Sequence, residues 1–193
     1  MRFLAISGSL RRASLNSALL RAVARIAPNR IEVVLYSGLG DLPLFNPDIE
    51  SIQPLPVAEL REQILASEAI LIASPEYAHG VTGVMKNALD WMVGNETFVD
   101  RPVALLNASP RATHAQAALR ETISTMSARI IDEACITVPV LGSGLDEDGI
   151  VRHAEIGPAL LGMLLALESA VLEAPQEHDV AEAGSKASSN ECT

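Results

Sequence analysis

The sequence is short of base, of aromatics and of cysteine, and each shortage removes a class of function. Fourteen Lys and Arg stand against 24 Asp and Glu in 193 residues, a formal charge of −10. Duplex nucleic acid and anionic lipid both need Lys and Arg to neutralise phosphate, so neither is expected as a partner. Three Phe, two Tyr and one Trp are too few for a platform on which bases stack. The two cysteines, Cys135 and Cys192, form no C-x-x-C and no disulfide framework. That usage suits a reducing compartment, and a cytoplasmic location is expected. The N-terminal Met1-Arg2-Phe3-Leu4-Ala5-Ile6 runs straight into Ser7-Gly8-Ser9, too early for a signal-peptide core. Nowhere does an apolar run reach the roughly 18 residues of a membrane helix, so membrane insertion is not expected.

What the chain does have is alternation between short apolar runs and stripes of helical period. Runs at 3–6, 31–36, 69–73, 103–106 and 136–140 read as strands. Leu15, Ala18, Leu19, Ala22, Val23 and Ile26 make one helical face, and similar stripes start at Val57, Val81, Ala115 and Ile156. Strands apolar throughout, rather than alternating, belong to parallel sheets covered on both faces. The expected fold is therefore α/β, a doubly wound three-layer sandwich with a five-stranded parallel sheet. Pattern alone does not choose the strand order, but both common orders place ligands beyond the carboxyl ends of the strands. One domain is expected over 1–172. The last helix, with Leu160, Leu161, Met163, Leu164, Leu165 and Leu167, reads either as fully buried or as a subunit interface. Over 173–193 the apolar period stops, and Glu173, Glu177, Asp179, Glu182 and Glu191 face only Lys186. A disordered acidic tail is expected there.

Three strand-end loops carry the polar chemistry. The first, Ser7-Gly8-Ser9-Leu10-Arg11-Arg12-Ala13-Ser14-Leu15-Asn16, leads into a helix. Free amides at a helix start favour an anion, Ser9, Ser14 and Asn16 can donate to phosphate oxygens, and Arg11 can pair with the charge. The alternative is an ordinary connecting loop in which Ser14 or Asn16 caps the helix. The loop matches neither G-x-G-x-x-G nor the P-loop pattern. The second, Ser74-Pro75-Glu76-Tyr77-Ala78-His79-Gly80, is stiffened by Pro75 and suited to lay amides along a flat ligand. Tyr77 reads as a ligand contact or as partial packing. Glu76 lacks the neighbours of a general base, and His79 reads as a solvent-edge residue. The third, Asn107-Ala108-Ser109-Pro110-Arg111-Ala112-Thr113-His114, offers Ser109 and Arg111. No G-x-S-x-G elbow is present.

Together these segments resemble the NADPH-dependent FMN reductases of flavodoxin-like fold, a group that includes bacterial quinone, chromate and azo-dye reductases. Gly8-Ser9-Leu10-Arg11-x-x-Ser14-Leu15-Asn16 is similar to the family's phosphate loop. Pro75-Glu76-Tyr77 with Gly80, followed by Gly83-Val84-Met85-Lys86-Asn87-Ala88-Leu89-Asp90-Trp91, resembles its flavin-ring loop and the helix after it. The segment from Asp41 to Asp48 resembles its loop after strand two, and Ser109-Pro110-Arg111 its third flavin loop. Ala78 and Thr82 stand where the family often has Asn and Pro, and Arg111 with Thr113 where it often has Gly-Gly.

The resemblance implies strand order 2-1-3-4-5. It implies FMN held by Ser9, Arg11, Ser14, Leu15 and Asn16 at the phosphate end. Pro75, Glu76, Tyr77 and Ala78 would then lie along the isoalloxazine, with Ser109 and Arg111 closing the far side. It further implies ping-pong hydride transfer from NADPH, or NADH, through flavin N5 to a quinone-like or other small acceptor, with no catalytic side chain. A homodimer or homotetramer is implied as well. The rival is a flavodoxin-type electron carrier without its own substrate, against which Arg11 is the discriminating feature.

Overall fold

The computed structural model describes residues 1–173, so the tail expected over 173–193 lies, apart from Glu173, outside the described residues. Strands β1 (Arg2–Ser7), β2 (Glu32–Tyr36), β3 (Ala69–Ala73) and β4 (Pro102–Asn107) alternate with helices α1 (Leu15–Ile26), α2 (Leu55–Leu65) and α3 (Gly83–Val93). Helix α4 (Thr113–Thr125) follows, then β5 (Arg129–Ile130), β6 (Ile136–Thr137), α5 (Glu147–Arg152) and α6 (Ile156–Leu172). The sheet is parallel in the order β2-β1-β3-β4-β5, with β6 also on β4. This is the order that the resemblance implies.

The apolar runs are buried on both faces because each strand sends alternate residues to opposite layers. Phe3, Ala5, Leu71, Ala104 and Leu106 pack with Leu19, Leu20 and Val23 of α1 and with Leu160, Leu164 and Leu167 of α6. Leu4, Ile6, Ile70, Ile72, Val103 and Leu105 pack with Leu60 and Ile64 of α2, Leu89 and Met92 of α3, and Leu119 and Ile123 of α4. A central sheet between two helical layers results. Helix α6 turns Leu160, Met163, Leu164 and Leu167 inward, and leaves Leu161 and Leu165 on its outer side partly exposed.

The fifth strand position differs from the expected run at 136–140. It is shared by two short segments, with Val103 beside Ile130 and then Leu106 beside Ile136. A 3-10 turn at Asp132–Ala134 separates them. The Val138 amide still donates to the Asn107 carbonyl at 2.8 Å, and the run ends where the Val140 amide turns back to the Val138 carbonyl at 2.9 Å. Helix α5 is an addition to the expected set. Asp146 caps it, and its first-turn Glu147 and Asp148 pair with Arg21 and Arg25 of α1.

Two-sided burial makes a stability prediction. Leu71→Ala and Ile72→Ala empty opposite layers, and each should cost about 2–5 kcal/mol in urea unfolding. One neutral substitution of the pair would mean that one face of the sheet is not core.

Candidate functional site

All four long strands end on the same edge of the sheet, and a cavity opens there. Ser9, Arg11, Ser14, Leu15 and Asn16 line it from the β1 loop, and Pro75, Glu76 and Tyr77 from the β3 loop. Ser109 and Arg111 close it from the β4 loop, and Leu141 from the segment after β6. Its volume is about 350 Å³. Of the residues expected at a ligand, only Ala78 lies outside this lining.

The first loop is held by its own hydroxyls. Ser14 caps α1, its Oγ accepting from the Ser17 amide at 3.2 Å, so the capping alternative is realised. A capping oxygen uses a lone pair and keeps its proton, so Ser14 can still donate to a ligand. Ser9 Oγ accepts weakly from the Arg11 amide at 3.4 Å. Asn16 sits at the helix start, 7% exposed, and its side-chain oxygen Oδ1 has no hydrogen-bond partner. That oxygen is an acceptor and cannot meet a phosphate; the donor that Asn16 can offer the cavity is its amide Nδ2. The Arg11 and Arg111 side chains have no carboxylate partner among the described residues.

The second loop is pinned to the first. The Gly8 amide donates to the Ala73 carbonyl at 2.8 Å, and the buried Thr82 hydroxyl donates to the Gly8 carbonyl at 2.7 Å. A Cβ at Gly8 would lie 2.2 Å from Ser74 Oγ, so no other residue fits between the loops. Past Tyr77 the chain reverses. The Tyr77 and Gly80 backbones exchange hydrogen bonds at 3.2 and 3.0 Å, with Ala78 and His79 both at positive φ (50° and 57°). That is the backbone of a type I′ turn. The family's usual Asn suits that conformation better than Ala does.

Glu76 lines the cavity and also finishes another element. Helix α4 starts at Ala112, which has no capping side chain, and Glu76 Oε2 accepts from the Ala115 amide at 2.9 Å. Oε1 is 3.1 Å from His79 Nδ1. The Ala115 amide, aided by His79, holds the Glu76 carboxyl below the usual range for Glu. It is an ionised cap, not a base waiting for a proton. His79 is exposed, as expected, with its ring against His114.

The motif on α3 is also bracing. Asn87 Nδ2 and Trp91 Nε1 both donate to the Pro43 carbonyl, at 2.9 and 2.7 Å, and the Phe45 amide donates to Asn87 Oδ1 at 2.8 Å. Positions four apart share one helix face, which is why Asn87 and Trp91 grip the same loop. Sequence reasoning missed Leu141 as a lining residue. It follows a strand end, and its position was the only signal, since its side chain is apolar.

The family model for NADPH-dependent FMN reductases matches residues 1–140. The chain belongs to that family. Relatives agree along its length. The NAD(P)H-dependent FMN reductase of Pseudomonas aeruginosa is 33% identical over 174 residues, 87% of this chain and 94% of that one. A quinone reductase of Pseudomonas putida is 33% identical over 141 residues, covering 69% of this chain and 73% of its own. Among solved structures, FerB of Paracoccus denitrificans, a flavoenzyme NAD(P)H:(acceptor) oxidoreductase, has a TM-score of 0.79 at 28% identity. The match covers 89% of this chain and 97% of FerB. A flavodoxin of Pseudomonas aeruginosa, at 15% identity and a TM-score of 0.56, shares the fold.

The family's Asn makes the Ala78 turn testable. Ala78→Asn should raise unfolding stability, by up to about 1 kcal/mol, because Asn tolerates positive φ better than Ala. A lower urea midpoint would show that the turn is not strained at this position.

Proposed function

We propose that the chain is an NAD(P)H-dependent, FMN-containing oxidoreductase that passes electrons in a ping-pong sequence to quinone-like or other small acceptors. The observation that carries this is one cavity in which the donors at the start of α1, Ser9, Arg11, Ser14 and the Asn16 amide group, face a second, rigid loop at Pro75–Tyr77. A phosphate ester is the ligand that such a helix start accepts. Ser9 and Ser14 each keep a hydroxyl proton to donate to it, Arg11 supplies charge, and Leu15 lines the wall beside them.

The β3 loop is suited to a flat ring. Pro75 is rigid, and the Glu76 carboxylate is committed to Ala115, so that stretch addresses a ligand through backbone. Tyr77 stands 60% exposed at the rim. Ser109 and Arg111 close the opposite side, while Ala78 serves the turn rather than the cavity. Bound FMN supplies the redox chemistry, accepting two electrons from NAD(P)H and yielding them to the acceptor. The chain's residues bind and orient, and none is given an acid or base role. A cavity of about 350 Å³ has little room beyond a tricyclic cofactor, which suits donor and acceptor taking turns there.

We read the protein as a cytoplasmic homodimer or homotetramer. Leu10, Tyr77 and Leu141 are at least half exposed on the strand-end loops, an apolar rim that a second copy would cover. No helix among the described residues is long and apolar enough to cross a membrane.

Purified protein mixed with FMN should turn yellow and oxidise NADPH when a quinone is present. A protein that stays colourless sinks the reading, and one that binds FMN without consuming NADPH is an electron carrier instead. Arg11→Ala should weaken FMN binding by about 1.5–3 kcal/mol, roughly 10- to 150-fold, the loss of a charge-assisted hydrogen bond. An unchanged titration would remove Arg11 from the phosphate site.

A further inference from the structure

Most cations of this acidic chain are already engaged. Arg2, Arg101 and Arg129 donate to carbonyls, and Arg21, Arg25, Arg30, Lys86, Arg120 and Arg152 meet carboxylates. Among the described residues only Arg11, Arg12, Arg61 and Arg111 have side chains with neither contact, and two of these four line the one cavity beyond the strand ends. FMN carries a single phosphate, and the α1 start with Arg11 already matches it. Arg111 is a second cation in the same cavity with no assigned charge.

Its placement keeps it apart from that phosphate end. β1 and β4 flank β3 on opposite sides, so the two loops are rooted two strand spacings apart, roughly 9–10 Å. Glu76 is the one acid lining the cavity, and its two oxygens are taken by the Ala115 amide and by His79. No carboxylate therefore neutralises Arg111 from within.

We propose that Arg111 makes the open side of the cavity selective for a second substrate that bears an anionic group: a phosphate, carboxylate or sulfonate. The inference rests on the cavity being the FMN site. The anionic group has two possible sources, the 2′-phosphate that distinguishes NADPH from NADH, and an acidic substituent on the acceptor. A guanidinium fork suits either.

The test is equilibrium binding to FMN-loaded wild type, Arg111→Ala and Arg111→Lys, read by perturbation of flavin absorbance. Two matched pairs serve as probes: NADP⁺ with NAD⁺, and naphthalene-2-sulfonate with its uncharged sulfonamide. Wild type should prefer the charged member of at least one pair. That preference ratio should fall about tenfold in Arg111→Ala, survive largely in Arg111→Lys, and shrink as salt is raised. A fall in the nucleotide pair assigns Arg111 to the donor, and a fall in the sulfonate pair to the acceptor. The proposal is overturned if both ratios are the same in Arg111→Ala as in wild type. Weaker FMN binding with unaltered ratios would instead put Arg111 on the cofactor. Wild type that never loads FMN would overturn the cofactor reading itself, a failure visible before any probe is added.

Discussion

The cavity depends on how closely β1 and β3 leave the sheet together. Gly8 lies so near Ser74 that a methyl group would stand 2.2 Å from its hydroxyl oxygen. The Gly8 amide and carbonyl are both spent on this junction, one on Ala73 and the other on the Thr82 hydroxyl. Thr82 is also the N-cap of α3, so the junction ties the end of β1 to the start of that helix. Two loops that could have diverged are fixed as facing walls. The α1 start, with its free amides, then looks across at the rigid Pro75–Tyr77 stretch, and a flat phosphorylated ligand fits both features at once.

Around that junction the polar side chains sort into braces and free groups. Ser7 and Ser17 pair with each other at 2.8 Å. Asn107 accepts from the Ser109 amide and donates to the Ala112 carbonyl, shaping the third loop. Glu76 finishes α4, and Asn87 with Trp91 holds the loop at Pro43. Asn16, Arg11 and Arg111 are what this bracing leaves over. The two guanidiniums are exposed and the Asn16 amide Nδ2 is a donor, so all three can address an anion in the cavity.

Much of this was legible in the chain. Residues 69–73 are apolar at every position and the run is too short for a helix, which fits a strand covered on both faces, and the α1 stripe from Leu15 to Ile26 has a clear helical period. The strand order came from the resemblance, since period alone carries no neighbour information. The two short segments on β4 were not legible, because two-residue strands leave no pattern and are set by what β4 leaves unpaired. Nor was α5, whose six residues form against Arg21 and Arg25 from far back in the sequence. At the site, the polar loop residues announced themselves, whereas Leu141 did not. The capping role of Glu76 was hidden because its partner, Ala115, is 39 residues away and has no side-chain signature. Ala78 lies outside the cavity lining because the chain reverses there at positive φ, which the motif itself does not announce.

The most direct measurement compares FMN with riboflavin, which lacks the phosphate, in equilibrium titrations of the flavin-free protein. If the α1 start with Ser9, Arg11, Ser14 and Asn16 is a phosphate site, FMN should bind tighter by at least about a hundredfold. That ratio corresponds to two or so charge-assisted hydrogen bonds. Equal affinities for the two flavins would contradict the account, because the cavity would then owe nothing to the helix start on which it is built.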